Sequence, residues 1–251
     1  MLQVCLNGAR GRDECPHLPV TPAELATAAR QAVDAGAVDI HLHPKDRHGQ
    51  DTLDGSAVAA AVGAVRAAVP GVPVGVTTGA WATADPGTRA AQVRAWTLLP
   101  DHASVNFHED GAVDVATALL DRGVGVEAGV WSGTSGARRF LAWSGAHRVL
   151  RVLAEITESA PHDAVRAAAG LLDELAPAAA PVLLHGEDAA AWPVLRLAAA
   201  RGLDTRIGLE DALLLPDGTP APGNAALVRA AREVIAGAGS RRPHGPADPS
   251  G

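Results

Sequence analysis

Residues 38–43 read Val-Asp-Ile-His-Leu-His, a short strand-like run between two longer segments of helical period. The preceding segment, Pro22–Ala35, and the following segment, Gly55–Ala68, are rich in alanine and repeat apolar residues at helical spacing. A short strand flanked by longer helices is typical of a βα unit in a parallel sheet. The same alternation runs along the whole chain and decides the fold.

Eight strands and eight helices are predicted by this pattern. The predicted strands are Gln3–Leu6, Val38–His43, Val72–Thr77, His102–Asn106, Gly125–Ala128, Leu150–Leu153, Val182–His185 and Thr205–Ile207. The predicted helices are Pro22–Ala35, Gly55–Ala68, Pro86–Leu98, Val113–Asp121, Ser135–Gly145, His162–Leu175, Asp188–Arg201 and Asn224–Ala236. Thr21 before Pro22 suits a helix start, and Gly36 and Gly202 stand where helices should end.

This count predicts a (β/α)8 TIM barrel of the α/β class, formed by residues 1–238 as one domain. A doubly wound open sheet is the structural alternative. Against it, the first strand leads into Gly8-Ala9-Arg10 without the GxGxxG turn of dinucleotide-binding sheets. Residues 239–251, rich in glycine and proline, are expected to form a disordered tail outside the barrel.

Composition narrows the classes of partner. Of the 251 residues, 47% are hydrophobic, and 28 acidic against 21 basic side chains give a net charge of −7. A nucleic-acid binder needs a basic face, so that class is excluded. The most apolar stretch, Ala57–Val76, is interrupted by Arg66 and two prolines, which argues against a membrane span. No signal-peptide pattern begins the chain, so we expect a cytoplasmic protein.

The second predicted strand carries the first candidate for chemistry. Side chains alternate along a strand, so His41 and His43 share a face, and both imidazoles could bind one divalent metal at the barrel mouth. Two hydrogen-bonded histidines at a strand end are the competing interpretation. Catalytic groups of such barrels lie at the carboxyl ends of the strands, which favours the metal.

The eighth predicted strand leads into Arg206-Ile207-Gly208-Leu209-Glu210-Asp211. Glu210 could complete a site of two histidines and one carboxylate with open coordination positions. Arg206 could pair with Asp211 and hold that carboxylate ionised as a base. A solvated salt bridge near a helix start is the competing interpretation.

Other strand ends add polar groups to the same rim. Glu127 lies within an apolar run and should face the barrel interior or mouth, where an unpaired carboxylate would be costly. His185 ends the seventh strand, where a core or capping histidine is the competing interpretation. Thr77, Ser104 and Asn106 end the third and fourth strands and could orient a polar substrate.

These segments together resemble the beta-keto acid cleavage enzymes, whose founding activity is 3-keto-5-aminohexanoate cleavage. The matching segments, in family order over nearly the whole chain, are Asn7-Gly8-Ala9, His17–Pro22, Ala35-Gly36-Ala37, His41-Leu42-His43, Thr77-Thr78-Gly79, Ser104-Val105-Asn106 and Arg206–Asp211. The combination of HxH after the second strand with RxGxED after the eighth is more specific than either motif alone.

The resemblance implies a zinc-dependent barrel that converts a β-keto acid and acetyl-CoA to acetoacetate and a new acyl-CoA. By that likeness His41, His43 and Glu210 are the Zn²⁺ ligands, and Asp211 with Arg206 is the catalytic pair. Glu127 is a third catalytic candidate. Substrate-binding candidates are Thr77, Ser104, Asn106 and Arg10. Relatives are commonly homo-oligomeric, so a homo-oligomer is also implied.

The chain departs from the family pattern at four places. Arg10 stands where the family has an acid or another polar group, and would favour a substrate with an extra negative charge. Lys45, the chain's single lysine, replaces an arginine, and Ala212 replaces an asparagine. The long glycine-rich loop after the sixth strand is reduced to Glu155–Ser159, which affects the expected use of coenzyme A.

Two other functions fit parts of the pattern. A metal-dependent hydrolase or decarboxylase acting without CoA would explain the short loop, although amidohydrolase-like barrels place HxH on the first strand. A noncatalytic binder of small molecules could have kept the metal site. Against that binder, Arg206, Glu210 and Asp211 are all present, and a barrel without chemistry has little need of them.

Overall fold

The fold was analysed in a computed structural model that describes residues 1–239. The strands are β1 (Leu2–Cys5), β2 (Asp39–Leu42), β3 (Val74–Thr77), β4 (His102–Asn106), β5 (Gly125–Trp131), β6 (Arg151–Ile156), β7 (Val182–Gly186) and β8 (Thr205–Ile207). The helices are α1 (Pro22–Asp34), α2 (Gly55–Ala68), α3 (Pro86–Ala95), α4 (Ala112–Asp121), α5 (Gly136–Ala142), α6 (Pro161–Glu174), α7 (Ala191–Arg201) and α8 (Asn224–Gly239). The predicted tail, residues 239–251, lies outside the described residues apart from Gly239.

The strands form one parallel sheet in the order β7-β6-β5-β4-β3-β2-β1-β8. Its two edges meet at a parallel bridge between Leu183 and Asp204. The Leu184 amide also donates to the Asp204 carbonyl at 2.9 Å. The eight strands therefore make a nearly closed barrel surrounded by helices, and the predicted TIM-barrel class is confirmed.

Two strands extend further toward the barrel mouth than the sequence predicts. β5 continues past Ala128 to Trp131, and β6 continues past Leu153 to Ile156. Trp131 pairs with Glu155, which in turn pairs with His185 of β7. These backbone partners come from distant parts of the chain, so a local pattern does not show them. Glu155, expected in a loop, is therefore a strand residue.

The predicted helix start at Thr21 and helix end at Gly202 are both present in the structure. Thr21 accepts a hydrogen bond from the Glu24 amide at 3.3 Å, and the Glu24 carboxylate accepts one from the Thr21 amide at 2.9 Å, which together form a capping box. Gly202 ends α7 in the left-handed region, with φ of +72°. Within residues 1–239, no helix is both long and apolar enough to cross a membrane.

A buried ion network fills the amino-terminal end of the barrel interior. Arg151 donates to Asp39 at 2.6 Å and to Glu127 at 2.7 Å. His102 contacts the same two carboxylates at 3.0 and 3.1 Å. Burial alone would lower the pKa of His102, but Glu127 and Asp39 outweigh it and raise that pKa to about 10. Two carboxylates thus face two cations, and the network is close to neutral.

Candidate active site

Three side chains converge at the barrel mouth in the arrangement of a metal site. His41 lies in β2, His43 follows it directly, and Glu210 lies in the loop after β8. Glu210 Oε2 is 3.8 Å from His41 Nε2, and Glu210 Oε1 is 3.6 Å from His43 Nε2. One donor atom from each residue falls within 4.8 Å of the other two. β2 and β8 both pair with β1, which explains how residues so distant in sequence meet.

The geometry of these donors suits a divalent metal. Two imidazole nitrogens and one carboxylate oxygen, with a cavity on the open side, form the donor set of catalytic zinc sites. Ligands held at 2.0–2.1 Å around a tetrahedral ion lie about 3.3 Å apart, close to the separations seen here. The Glu210 Oε2 atom is buried and lacks a hydrogen-bond partner within residues 1–239. A bound ion would satisfy it.

Each histidine has a carboxylate near its Nδ1 atom, on the side of the ring away from Glu210. His43 Nδ1 lies 2.7 Å from Asp51 Oδ2, so its Nε2 is left to face Glu210. Burial would lower the pKa of His43, but Glu210 and Asp51 outweigh it and raise that pKa to about 9. His41 Nδ1 is 3.8 Å from Glu127 Oε2, and here burial dominates, lowering the pKa of His41 to about 4. Glu127 lies behind the metal group rather than on the cavity wall.

The predicted pair Arg206 and Asp211 is buried, which rules out a solvated salt bridge. Asp211 has no exposed surface, and Arg206 is 3% exposed. Asp211 Oδ1 accepts from Arg206 Nε at 3.1 Å and from Nη2 at 2.9 Å. Arg206 Nη2 also donates to Glu210 Oε1 at 2.8 Å. Arg206 lines the cavity and Asp211 does not, so Asp211 fixes the guanidinium from behind.

A cavity of about 320 Å³ opens beside the metal group. Thr77, Ser104 and Asn106, the predicted substrate-binding residues of β3 and β4, all line it. Asn106 Nδ2 donates to Glu109 at 3.0 Å, which fixes the amide orientation. The hydroxyl and amide groups of these three residues therefore lie on the cavity wall. Their contact with substrate stays a prediction.

Arg10 and Lys45 occupy different positions at this mouth. Arg10 lines the cavity, but its guanidinium pairs with Glu14 at 3.1 Å and with Asp188. Two carboxylates therefore offset the charge that was expected to select an anionic substrate. Lys45 does not line the cavity: its ammonium pairs with Asp51 at 2.5 Å and donates to the Gly8 carbonyl at 2.7 Å. Its contacts are with residues that support the metal group.

Part of the cavity wall was not predicted from the sequence. Trp81 and Trp131 lie on it with ring centroids 6.5 Å apart, and Trp81 Nε1 donates to Asp51 at 2.7 Å. Glu155 and Glu187 also line it. Glu155 had a usable signal, since it lies within an apolar run as Glu127 does. Asp51 and Trp81 come from loops, and no local pattern marks them.

Glu187 is partly buried and lies near two other carboxylates, those of Glu155 and Asp211. Burial, together with the nearby carboxylates of Glu155 and Asp211, raises the pKa of Glu187 to about 8. The cavity therefore holds one carboxyl group that is protonated at neutral pH. His185 lies behind this wall, 3.3 Å from Asp211 Oδ1 and 3.5 Å from Glu155 Oε2.

Comparison with protein families gives one match over most of the chain. The family model for beta-keto acid cleavage enzymes matches residues 1–117 and 144–248. All three metal-group residues and the Arg206–Asp211 pair fall within the matched ranges.

Solved structures share the barrel. The binary complex of ObcA with oxaloacetate matches with a TM-score of 0.69 at 19% identity, over 89% of this chain and 64% of the ObcA chain. The ternary complex of ObcA with a C4-CoA adduct and oxalate matches with a TM-score of 0.69, also at 19% identity, over 89% of this chain and 65% of that chain. The 3-dehydroquinate dehydratase from Geobacillus kaustophilus HTA426 matches with a TM-score of 0.63 at 10% identity, over 96% of this chain and 91% of that chain. At these low identities the TM-scores show a common fold and no more, and this chain spans less than two thirds of the ObcA length.

Proposed function

Because the chain belongs to the beta-keto acid cleavage enzyme family, we propose that it cleaves a β-keto acid in a metal-dependent reaction with acetyl-CoA. The proposed products are acetoacetate and a new acyl-CoA, and the proposed metal is Zn²⁺. The observation that carries the proposal is the convergence of His41, His43 and Glu210 beside a cavity that Arg206 also lines. We also propose the homo-oligomeric state that the family resemblance implies, which light scattering would measure.

Different side chains at this cavity would bind the metal and the substrate. His41, His43 and Glu210 would hold the metal, which when bound polarises the keto oxygen as a Lewis acid. Arg206 presents a fixed cation to the cavity and would bind the substrate carboxylate. Asp211 acts through Arg206 by holding its guanidinium in one orientation. The role of catalytic base that the sequence predicts for Asp211 stays a prediction.

The remaining wall would orient the substrate and exclude water. Thr77, Ser104 and Asn106 supply hydrogen-bonding groups from adjacent strands. Trp81 and Trp131 give an apolar face suited to the part of the substrate that is transferred to CoA. Oxaloacetate, seen with ObcA, is a β-keto acid and is a natural member of a first substrate panel.

The short loop after β6 favours a second candidate function. Only residues 157–160 separate β6 from α6, where the family resemblance implies a long loop near the coenzyme. A hydrolase or decarboxylase that acts on a related carbonyl substrate without CoA would need no such loop. The ObcA complex with a C4-CoA adduct supports the CoA-dependent candidate as the first to test.

The deciding experiment combines metal analysis with turnover. Purified protein is analysed for bound metal and incubated with a panel of β-keto acids, with and without acetyl-CoA. We expect zinc, and acetoacetate together with an acyl-CoA only when acetyl-CoA is present. Turnover without CoA would establish the second candidate, and protein that binds zinc but converts no member of the panel would favour a noncatalytic binder.

The metal assignment has a matched pair of variants. His41→Ala should lose both the metal and turnover, because only two ligands remain. His48→Ala removes an exposed histidine from the loop after β2 and should change neither. Full zinc content in His41→Ala would contradict the assignment.

The role of Asp211 has its own test. Asp211→Asn should keep the metal but lower kcat by about 100-fold, because Arg206 loses the carboxylate that aims it. Asp217→Asn, at an exposed position of the same loop, is the matched control. Wild-type kcat in Asp211→Asn would remove Asp211 from the mechanism.

A further inference from the structure

Arg10 lies on the cavity wall, and each of its three guanidinium nitrogens donates a hydrogen bond within the protein. Its Nε donates to the Glu210 carbonyl at 3.0 Å, its Nη1 donates to Glu14 at 3.1 Å, and its Nη2 donates to Asp188. The Arg10 side chain is only 15% exposed, so these contacts cover most of it. A carboxylate of the substrate would have to displace one of these partners to pair with Arg10.

Both carboxylate partners of Arg10 are held by the backbone around them. The Gly11 amide donates to Glu14 Oε1 at 3.3 Å, which leaves Oε2 to face Arg10. The Asp188 amide donates to the Asp211 carbonyl at 2.6 Å. Asp188 also has a φ of +48°, the one positive value at a residue other than glycine within residues 1–239. The two anions are therefore built into the cavity mouth beside Arg10.

The rest of the cavity wall offers one more arginine. That residue is Arg206, which is proposed above to bind the carboxylate of the β-keto acid, and no lysine is among the described lining residues. Glu155 and Glu187 also line the cavity, and within residues 1–239 neither has an ion pair with arginine or lysine. A second carboxylate on the substrate would therefore meet a wall without a free arginine or lysine, whose unpaired ionisable groups are carboxyl groups.

Glu187 shows how this wall acts on a further negative charge. Burial, together with the carboxylates of Glu155 and Asp211, raises the pKa of Glu187 to about 8, so Glu187 carries a proton at neutral pH. A carboxyl group that the protein itself places on the wall is thus more stable neutral than charged. A carboxylate of the substrate at this wall would meet the same burial and the same neighbouring charges.

We infer that Glu14 and Asp188 are specificity-determining residues, and that by neutralising Arg10 they restrict the substrate to β-keto acids with a single carboxylate. The inference rests on the proposed function. It is opposite to the expectation from the sequence, in which Arg10 favours a substrate with an extra negative charge. Trp81 and Trp131 on the same wall suit an uncharged substituent. Oxaloacetate, which has two carboxylates, belongs to the class that the inference disfavours.

Two six-carbon acids isolate the charge of the substituent. 3-Oxohexanoate and 3-oxoadipate share the β-keto acid group and differ at the far end, where one has a methyl group and the other a carboxylate. Both give acetoacetate, together with butyryl-CoA from the first acid and succinyl-CoA from the second. We expect kcat/KM of the wild-type protein to be about 100-fold higher for 3-oxohexanoate, because the second carboxylate finds no free cation.

The decisive variant frees Arg10 without removing it. Glu14→Gln combined with Asp188→Asn removes both negative charges, and asparagine tolerates the left-handed backbone as aspartate does. The preference for 3-oxohexanoate, measured as the ratio of the two kcat/KM values, should fall by about tenfold or more. Adding Arg10→Gln should restore the preference, since the change depends on a free guanidinium. An unchanged ratio in the double variant would overturn the inference.

A second pair of substitutions controls for the loss of two negative charges. Asp163→Asn breaks an ion pair with Arg166 on α6, outside the cavity, and Glu174→Gln removes an exposed carboxylate from the same helix. This control protein should keep the wild-type ratio. If Glu14→Gln with Asp188→Asn does not fold, Asp188→Asn alone replaces it and should shift the ratio in the same direction. An unchanged ratio in that single variant would overturn the inference equally.

Binding without turnover separates the inference from the function on which it rests. Each acid is titrated into the zinc-loaded protein without acetyl-CoA, by isothermal titration calorimetry, and 3-oxohexanoate should bind about tenfold more tightly. If neither acid is cleaved when acetyl-CoA is present, the proposed function fails, and equal binding of the two acids would refute the inference as well. If the wild-type protein cleaves both acids equally well, the function stands and the inference fails.

Discussion

Gly8 offers the sharpest test of the metal group, because it contacts Glu210 with no side chain of its own. Its φ of +60° lies in the left-handed region. A Cβ added there would lie 2.4 Å from Glu210 Cγ and 2.8 Å from Glu210 Cβ. Non-bonded carbons prefer about 3.5–4.0 Å, so Gly8→Ala must displace Glu210 by roughly 1 Å.

Two costs of this substitution can be separated. An alanine in the left-handed region costs about 1–2 kcal/mol of stability. Gly123 has a similar φ of +74°, and among the described residues no atom would come within 4 Å of an added Cβ. Gly123→Ala therefore carries the conformational cost without the contact, and it is the matched control.

The contact should appear as lost metal affinity. Ligand distances tolerate a shift of only about 0.2 Å, and Glu210 is held by Arg206 on its side chain and by Arg10 on its carbonyl. We expect zinc affinity to fall by about 100-fold in Gly8→Ala, which is about 2.7 kcal/mol. Competition with a chromogenic chelator measures it, and thermal unfolding of the metal-free proteins gives the conformational cost. Equal zinc affinities in the two alanine variants would refute the reasoning.

Two other predictions concern carboxyl groups around the cavity. Asp51→Asn should weaken zinc binding by about 10–100-fold, because His43 loses its charged partner and Lys45 loses its counter-ion. The same chelator competition measures the zinc affinity, and Asp114→Asn is the exposed control. An unchanged zinc affinity in Asp51→Asn would contradict this prediction. Glu187→Gln should stabilise the metal-free protein at pH 8 and leave its stability unchanged below pH 4. Between the usual pKa of glutamate and about 8, folded Glu187 holds a proton that the unfolded chain has lost, so its contribution to stability falls as pH rises. Urea unfolding at several pH values tests this, and parallel pH profiles for variant and wild type would contradict it.

The barrel could be predicted from the sequence because the patterns that mark its strands and helices each lie within a short stretch of the chain. Each βα unit repeats a short strand and a longer amphipathic helix, and signals such as Thr21-Pro22 mark a helix start within a few residues. The ends of β5 and β6 could not be predicted in the same way. Glu155 interrupts an apolar run, which locally suggests that the strand has stopped, yet pairing with Trp131 and His185 continues it.

The residues of the candidate site also fall into those that local sequence marks and those that only tertiary contacts reveal. His41, His43, Arg206, Glu210 and Asp211 were found because strand ends and short motifs mark them. The ion pairs of Arg10 could not be predicted, since one of its two carboxylate partners, Asp188, lies 178 positions away in the sequence. The charge balance at a site depends on tertiary contacts, so the sequence showed the cation at the mouth and not its two partners.

Arg206 connects the metal group to the buried residues behind the cavity wall. Its Nη2 donates to Glu210 of the metal group and to Asp211, while its Nε donates to Asp211 and His185 behind Glu155. A lysine could not make this set of contacts, because an ammonium is a single point charge and the guanidinium is a rigid fork. One rigid side chain therefore holds Glu210, Asp211 and His185 in fixed positions relative to one another.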